Sequence, residues 1–451
     1  MTSPLEWNTE RLIEQDLAHL FHPLTNLHRH SKTGPLVLVE GKGSKVKDAD
    51  GKWYVDGFAG LWNVNVGHGR TALAEVAKKQ ILQLAFQPTF FGLATPPAIE
   101  LASKLAEMLP QHSHFQFTSG GAESNETAIK VARYYWALEG KPDKVKIISR
   151  RMSYHGIAMG ALAATGMPAY HQDFGPLPPG FVHVAAPYAY RNNPGLSENE
   201  FVAMLVKELE ELIAKEGAET IAAFIGEPVQ GAGGVVVPPE GYWQAMVPVL
   251  KRHSILLIAD EVITGFGRTG GMFGQETYSF SADITSMAKG ITSGYVPLGA
   301  VGVSPAIYQR LSAPDRVFMH GFTYSGHPVA CAVALTNIKI IEQENLAENA
   351  RVRGEQLLKG LKQFESHPNV GNVRGKGLMA LVEVVEDKVS KKPFDPSRSI
   401  GGKLQEASRK KGVIVRCSDS GFAIAPPLVI TETEVDEMLN ALGETLSEVF
   451  G

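Results

Sequence analysis

The chain has 451 residues, of which 44% are hydrophobic and 20% charged, and its formal net charge is −4. These values are ordinary for globular proteins and argue against extensive disorder. The sequence has no basic block to predict nucleic-acid binding, and no cationic amphipathic face or apolar run of about 20 residues to predict a membrane segment.

The cysteine count and the N-terminal residues bear on the cellular compartment. Cys331 and Cys417 are too few for a disulfide framework or a four-cysteine zinc site. The opening residues MTSPLEWNTERLIEQDLAHL carry acids early and lack an apolar h-region, so we expect no secretory signal. Both features fit a cytoplasmic protein.

Residues 1–60 predict an N-terminal arm and part of a small domain. Residues 6–20 have the spacing of a helix. The segment PLVLVEGKGSKVKDADGKWYVDG then alternates apolar and polar residues, with Asp50-Gly51 as the turn between two strands.

Residues 61–329 predict a large domain in which strands alternate with helices. Helical spacing runs over 97–108 and 123–138, and Ser197 with Glu200 forms a capping box that opens a helix through Ala214. Apolar strands are expected at 144–149, 221–225 and 255–259. Short apolar strands between helices favour an α/β fold, with a mostly parallel sheet covered by helices on both faces.

Residues 330–451 predict the remainder of a smaller α+β domain. A long helical stretch is followed by strands around 378–384, 412–417 and 422–430. Thr431 with Glu434 then forms a second capping box before a final amphipathic helix.

The glycine-rich segment after Asp260 suggests a dinucleotide-binding turn. Gly265, Gly267 and Gly270 spell G-x-G-x-x-G, and Asp283 follows at a suitable distance. The pattern requires a helix directly after the glycines, yet further glycines follow, and each costs about 1 kcal/mol in a helix interior. The context therefore disfavours a nicotinamide enzyme.

A different set of residues points to pyridoxal phosphate. Asp260 ends a buried strand, where a bound protonated ring nitrogen would satisfy its carboxylate. Lys289 follows Met287-Ala288, and desolvation would make its amine a nucleophile for a Schiff base, although a surface lysine is the simpler reading of this residue alone. The small-residue loop at 118–130 opens a helix and suits a phosphate, and the aromatic in SYHG (153–156) would stack on a planar ring.

These segments together resemble the class III pyridoxal-phosphate aminotransferases of fold type I. The resemblance extends from about Leu17 to the last helix. Its motifs stand here as GFAGLWNVNVGHGR (57–70), SGGAESNETA (119–128), YHG (154–156), GEPVQGAGG (226–234), ADEVITGFGRTG (259–270), SMAKG (286–290) and GFTYSGHP (321–328).

The resemblance assigns cofactor roles to matching positions. Lys289 is expected to bind the cofactor aldehyde as the Schiff-base lysine, and Asp260 to face the pyridine nitrogen. Val262 and Tyr154 would cover the two faces of the ring. Glu227 would line the site near Tyr154.

Phosphate contacts are expected from two places. Gly121 and Ala122 would offer backbone amides, and Thr323 would reach the phosphate of a neighbouring subunit in a homodimer with shared active sites, or in a tetramer. The family often has a serine at the position of Ala122, so one hydroxyl contact to phosphate is missing here.

Within the family, the chain looks most similar to the ω-amino acid:pyruvate branch. In that branch an arginine at the end of GVIVR pairs with the carboxylate of pyruvate and swings aside for amines without one, a task suited to a planar guanidinium. The expected substrate-binding positions are Trp62, Phe90, Phe91, Tyr154, Ala232 and Arg416. Without the family context, the aromatic residues would pass for core packing and Arg416 for an exposed charge.

The implied reaction moves an amino group from a primary amine or ω-amino acid to a keto acid, pyruvate, which becomes L-alanine in a ping-pong cycle. Lys289 would act as general base and then acid. A decarboxylating or aminomutase relative is the alternative. β-Alanine, taurine, putrescine, 6-aminohexanoate and arylalkyl amines remain open as donors.

Histidines occur at two places that could suggest a functional site. His19, His22, His28 and His30 cluster near the N-terminus, but their spacing lacks the i, i+4 pairs of helical metal ligands, so we predict a surface arm and no metal. His155, next to Tyr154, is expected to form a structural hydrogen bond rather than to act as the catalytic base.

Overall fold

The computed structural model describes residues 7–451. The predicted helix at 6–20 is observed as Thr9–His19, and its predicted first residue, Glu6, lies outside the described residues. The helices are α1 (Thr9–His19), α2 (Leu27–Thr33), α3 (Ala59–Trp62), α4 (Thr71–Leu84), α5 (Pro96–Met108), α6 (Gly121–Leu138), α7 (Met159–Ala164), α8 (Ala189–Asn192), α9 (Glu198–Glu216), α10 (Tyr242–Arg252), α11 (Gly274–Thr277), α12 (Pro305–Leu311), α13 (Pro328–Gln343), α14 (Leu346–Lys362), α15 (Ile400–Lys410) and α16 (Glu432–Phe450).

The strands form three sheets. They are β1 (Leu38–Lys42), β2 (Lys45–Asp48), β3 (Trp53–Asp56), β4 (His114–Thr118), β5 (Lys146–Arg150), β6 (Phe181–Val184), β7 (Ile221–Gly226), β8 (Leu256–Asp260), β9 (Ile284–Met287), β10 (Gly299–Val303), β11 (Val370–Gly375), β12 (Ala380–Val384), β13 (Val413–Ile414), β14 (Arg416–Ser418) and β15 (Gly421–Ile424).

The largest sheet has seven strands in the order β4-β10-β9-β8-β7-β5-β6. Strand β10 runs antiparallel to both of its neighbours, and the pairs from β9 to β6 are parallel. The expected mostly parallel sheet, and with it the α/β fold, is therefore confirmed.

Helices cover both faces of this sheet, as the apolar strands predict. Phe224 and Leu257 point to one face and pack with residues of α9 and α10. The next residues along the two strands, Ile225 and Ile258, point to the other face and pack with α6. Period-two alternation of side chains on fully buried strands requires this double cover.

The two four-stranded sheets contain residues from both ends of the chain. Strands β1, β2 and β3 are joined by β13, which pairs parallel with β3. The other sheet, β11-β12-β15-β14, is antiparallel throughout. The expected strand at 412–417 is in fact divided between these two sheets at Val415. The domain boundaries at 60 and 329 stay a prediction.

Two capping boxes and one turn follow the sequence expectations. Ser197 and Glu200 open α9, and Thr431 and Glu434 open α16, each with both reciprocal hydrogen bonds. The turn at Asp50-Gly51 joins the antiparallel pair β2 and β3. In residues 7–451, no helix combines the length and apolar character needed to span a membrane. The cytoplasmic location remains a prediction.

Candidate active site

Asp260 is the last residue of β8, at the carboxyl edge of the large sheet. Its Oδ1 accepts a hydrogen bond from the Val262 backbone N–H at 3.0 Å. Its Oδ2 accepts one from Asn125 Nδ2 at 2.8 Å and lies 2.7 Å from His155 Nδ1. The carboxylate is buried and held in one orientation at the edge where open α/β sheets bind ligands.

The side chains behind Asp260 form a connected network. Asn125 Nδ2 also donates to the His155 carbonyl at 2.7 Å, and Asn125 Oδ1 accepts from Ser286 Oγ at 2.6 Å. His155 is buried and must carry its proton on Nδ1 to donate to Asp260. The structural hydrogen bond expected of His155 is confirmed, whereas Asn125 and Ser286 were not anticipated.

Lys289 lies just beyond β9, in a single turn of 3₁₀ helix. Its φ is +48°, in the left-handed region that costs a non-glycine residue roughly 1–2 kcal/mol. Burial lowers the pKa of its amine to about 8, with Asp260 and Glu227 opposing the shift and Arg416 adding to it. Such strain at a desolvated amine is typical of a residue kept for its chemistry.

Glu227 follows β7 and is buried in the same region. Burial and the charge of Asp260 raise the pKa of Glu227 to about 8, while Arg150 and Lys289 oppose the shift. Arg150 is fully buried and donates from Nη2 to the Glu227 backbone carbonyl. A carboxyl group and an amine, each with a pKa of about 8, therefore share one buried site.

Helix α6 begins next to these residues. Its first residue is Gly121, and its N-cap residue, Gly120, has no side chain that could accept hydrogen bonds from the first amides. Within residues 7–451, the N–H groups of Gly121 and Ala122 have no hydrogen-bond acceptor. Unpaired amides at the start of an 18-residue helix form an anion site, reinforced by the helix dipole.

A cavity of about 170 Å³ joins these groups. Its lining contains every cofactor-binding residue expected from the sequence except Thr323, together with four further residues. The lining residues are Gly121, Ala122, Asn125, Tyr154, His155, Gly156, Glu227, Asp260, Val262, Ile263 and Lys289.

A family comparison identifies the kind of site. The model of the family described as aminotransferase class III matches residues 27–446. The chain belongs to the class III aminotransferases. It is therefore an aminotransferase, and since enzymes of this class use pyridoxal 5′-phosphate, that is its cofactor.

Solved structures place this aminotransferase close to the ω-transaminases. An (S)-enantioselective ω-transaminase from Thermomicrobium roseum is 63% identical, with a TM-score of 0.98 over 99% of this chain and 100% of the other. The ω-transaminase of Pseudomonas jessenii, solved in complex with PMP, is 42% identical, with a TM-score of 0.93 over 97% and 99% of the two chains.

A curated relative has a named reaction. The putrescine–pyruvate aminotransferase of Pseudomonas aeruginosa is 40% identical over 433 residues, covering 95% of this chain and 94% of that protein.

The residues of the aminotransferase fit its cofactor. The free amides at the start of α6 match a phosphate, the fixed carboxylate of Asp260 matches a protonated ring nitrogen, and Lys289 offers an amine to an aldehyde. A Cβ added at Gly121 would lie 2.8 Å from Val262 Cγ1, so glycine is needed for this close approach. Ala122 provides no hydroxyl, so at positions 121 and 122 only backbone amides are free to donate.

The substrate positions, apart from Tyr154, lie outside the cavity of the single chain. Trp62 is buried and packs edge-on against Phe58, in an apolar cluster that includes Ile263 of the cavity wall. Ala232 and Arg416 are half-buried. The remaining positions, Phe90, Phe91 and Thr323, are half-buried or exposed. Their substrate and phosphate roles stay predictions.

The G-x-G-x-x-G glycines have a structural role in this aminotransferase. Residues 262–269 form turns, and the next helix begins only at Gly274. Between the glycines, the buried Arg268 donates to the carbonyls of Leu378 and Pro426. The segment thus joins the large sheet to the C-terminal residues, and the expected mismatch with a dinucleotide turn is confirmed.

Proposed function

We propose that this enzyme is an ω-transaminase that moves an amino group from a primary amine or ω-amino acid to pyruvate, giving L-alanine. The observation that carries the acceptor assignment is the unpartnered side chain of Arg416. Among residues 7–451 its side chain makes no ion pair or hydrogen bond, and its charge contributes to lowering the pKa of Lys289. A guanidinium without a protein partner, near enough to the reactive amine to affect its pKa, suits the carboxylate of a keto acid.

The donor side is assigned to an apolar wall. Trp62, Phe58 and Ile263 belong to one buried cluster next to the cavity. Phe90 and Phe91, whose ring centroids are 5.8 Å apart, do not line this cavity in the single chain, and their substrate role is proposed for the assembled homodimer. Ring-lined surfaces of this kind favour amines with apolar substituents.

The chain's own residues divide the work of proton transfer and positioning. Bound pyridoxal phosphate supplies the electron sink for the carbon that loses its proton. Lys289 removes that proton and returns it, and its lowered pKa keeps a useful fraction of the amine neutral near pH 8. Asp260 keeps the ring nitrogen protonated, and the buried Glu227 lies near both groups.

Binding contacts are assigned in the same way. Gly121 and Ala122 bind the phosphate through backbone amides, and Tyr154 and Val262 cover the two faces of the ring. Tyr154 is itself supported by the edge of Tyr170 at 5.4 Å between ring centroids.

We also propose a homodimer with shared active sites. Several large apolar side chains are left open to solvent in the single chain, among them Phe91 at 96% exposure and Met319 at 89%. Thr323 is exposed and does not line the cavity of its own chain, so its assigned phosphate belongs to the partner subunit. Apolar patches of this kind are typical of an interface.

The test is a spectroscopic titration of the purified holoenzyme with donor amines in the absence of acceptor. Loss of the yellow band with an amine, and its return with pyruvate, would establish the two half-reactions of a ping-pong cycle. Return with 2-oxoglutarate and not with pyruvate would overturn the acceptor assignment. Release of carbon dioxide, or a rearranged amine formed without any acceptor, would favour the decarboxylating or aminomutase alternative.

A further inference from the structure

The N-terminal arm, defined as residues 9–33, brings three potential metal ligands together. Asp16 lies on α1, His30 lies on α2, and His22 lies on the segment between the two helices. Asp16 Oδ2 is 2.6 Å from His22 Nε2, and Asp16 Oδ1 is 2.7 Å from His30 Nε2. All three ligand atoms lie within 4.8 Å of one another.

The two imidazoles converge on one carboxylate from separate segments of the chain. Their ring centroids are 4.3 Å apart and the rings are tilted by 48°. Neither α1 nor α2 contains a buried residue, and the two contacts of Asp16 join α1 to α2 and to the segment between them. The spacing of the histidines, which predicts no metal site, does not reveal this cluster, because its acid lies on the preceding helix.

We propose that Asp16, His22 and His30 bind one divalent transition-metal ion of the zinc class. Two imidazole nitrogens and a carboxylate oxygen are ligands that Zn²⁺ accepts, with water in the open positions. Mg²⁺ and Ca²⁺ prefer oxygen ligands and do not fit this set.

The geometric change needed to admit the ion is small. Metal–ligand distances of about 2.0–2.1 Å in a tetrahedral site place the ligand atoms about 3.3 Å apart. The two nitrogen–oxygen contacts go to different oxygens of Asp16, so each imidazole must withdraw from the carboxylate by about 0.7 Å and turn its Nε2 lone pair toward the shared ion. The side chains of Asp16, His22 and His30 are 11%, 26% and 13% exposed, so water can complete the coordination and the ion can enter.

Binding would fix the conformation of the arm. The three ligands enclose the connecting segment that carries Phe21 and Leu24, each 80% exposed. A metal bridge between α1 and α2 restricts this segment, because ligands from three places must keep one geometry. The ion is assigned to the arm and not to the cofactor site, so the inference is independent of the proposed reaction.

The experiment is calorimetric titration of Zn²⁺ into the holoenzyme without a histidine tag, after treatment with a chelator. The variants are His22→Gln and His30→Gln, because glutamine keeps an N–H donor for Asp16 but has no imidazole lone pair. His28→Gln is the matched control on α2, since His28 is exposed and outside the cluster. We expect one site per chain, weakened at least about 10–100-fold in both variants and unchanged in the control.

A second measurement covers the case in which a variant loosens the arm. Proteolysis in the segment between α1 and α2 should slow on addition of Zn²⁺ in the wild-type protein and in His28→Gln, but not in the double variant His22→Gln/His30→Gln. Equal Zn²⁺ affinity in the wild type and in both ligand variants, or no saturable binding in the wild type, would overturn the proposal.

Discussion

His155 Nδ1 lies 2.7 Å from Asp260 Oδ2, and both side chains are buried. The contact joins the residue after Tyr154 to the end of β8, so the wall of the cavity and its carboxylate are fixed together. Asn125 donates to the same oxygen, so Oδ2 contacts two protein groups. Oδ1 accepts only from the Val262 N–H and can accept a further hydrogen bond from a ligand.

Asp260→Asn should lower kcat by about 10²–10³-fold, the usual effect of removing one preorganised electrostatic partner. The amide is nearly isosteric, so the fold should be retained, but it cannot hold a proton on the ring nitrogen. Steady-state kinetics and circular dichroism measure the two effects. Asp283→Asn is the control, because Asp283 Oδ2 accepts a hydrogen bond from the Leu257 N–H at 2.8 Å and lies outside the cavity. A larger kinetic loss at Asp283 would contradict the assignment.

The rate of cofactor uptake by the apoenzyme should depend on the protonation of Lys289. Only the neutral amine attacks an aldehyde, and burial lowers the pKa of Lys289 to about 8. Uptake should therefore rise with pH up to about 8 and then level off, whereas an ordinary lysine would keep gaining until about pH 10.4. Stopped-flow absorbance after mixing with pyridoxal phosphate provides the profile.

The variant Glu227→Gln provides a second test of the pH dependence of cofactor uptake. Ionised Glu227 favours the protonated lysine, and its own pKa is about 8, so the change should move the upper part of the rise, and with it the plateau, to lower pH. An unshifted plateau in Glu227→Gln would show that Glu227 does not affect the protonation of Lys289.

Lys289→Ala should abolish transamination, and an active Lys289→Ala enzyme would exclude Lys289 as the acid–base residue.

Much of this arrangement could be predicted from local patterns. The end of an apolar strand located Asp260, the capping boxes located α9 and α16, and small residues before a helix located Gly121. What could not be predicted depends on contacts between distant residues. Asn125 reaches Asp260 across 135 positions of the chain, and periodicity gives no information about such a pair.

The strand at 412–417 shows a second limit. Its apolar run looks continuous, yet Val413 and Ile414 pair with β3, while Arg416 pairs with β15. The choice of sheet depends on which strand edges are free, and this information lies outside the segment itself. The position of Arg416 at the start of β14 follows from that division.

Arg416→Met should raise KM for pyruvate about 10–100-fold. The loss of a charged hydrogen-bond pair costs about 1.5–3 kcal/mol, and each 1.4 kcal/mol is a factor of ten. KM for an amine without a carboxylate should change little, because that donor has no group for the guanidinium. Arg353→Met is the control, since Arg353 pairs with the exposed Glu432. Equal loss for both substrates would indicate a structural role for Arg416.

Mixing two inactive or weakened variants should restore activity if the active sites are shared between subunits. Lys289→Ala removes the reactive amine, and Thr323→Glu places a negative charge where the partner's phosphate is assigned. A heterodimer of the two variants has one site with both native residues and one with both changes.

After unfolding and refolding of an equal mixture, about a quarter of wild-type activity is expected, because half the dimers are mixed and half their sites are intact. Thr71→Glu, an exposed change on α4, is the control partner. This variant should be active by itself, so its equal mixture with Lys289→Ala should give about half of wild-type activity and no gain beyond the sum of the two. If the mixture with Thr323→Glu recovers nothing beyond the sum of the separate variants, Thr323 serves its own chain or none.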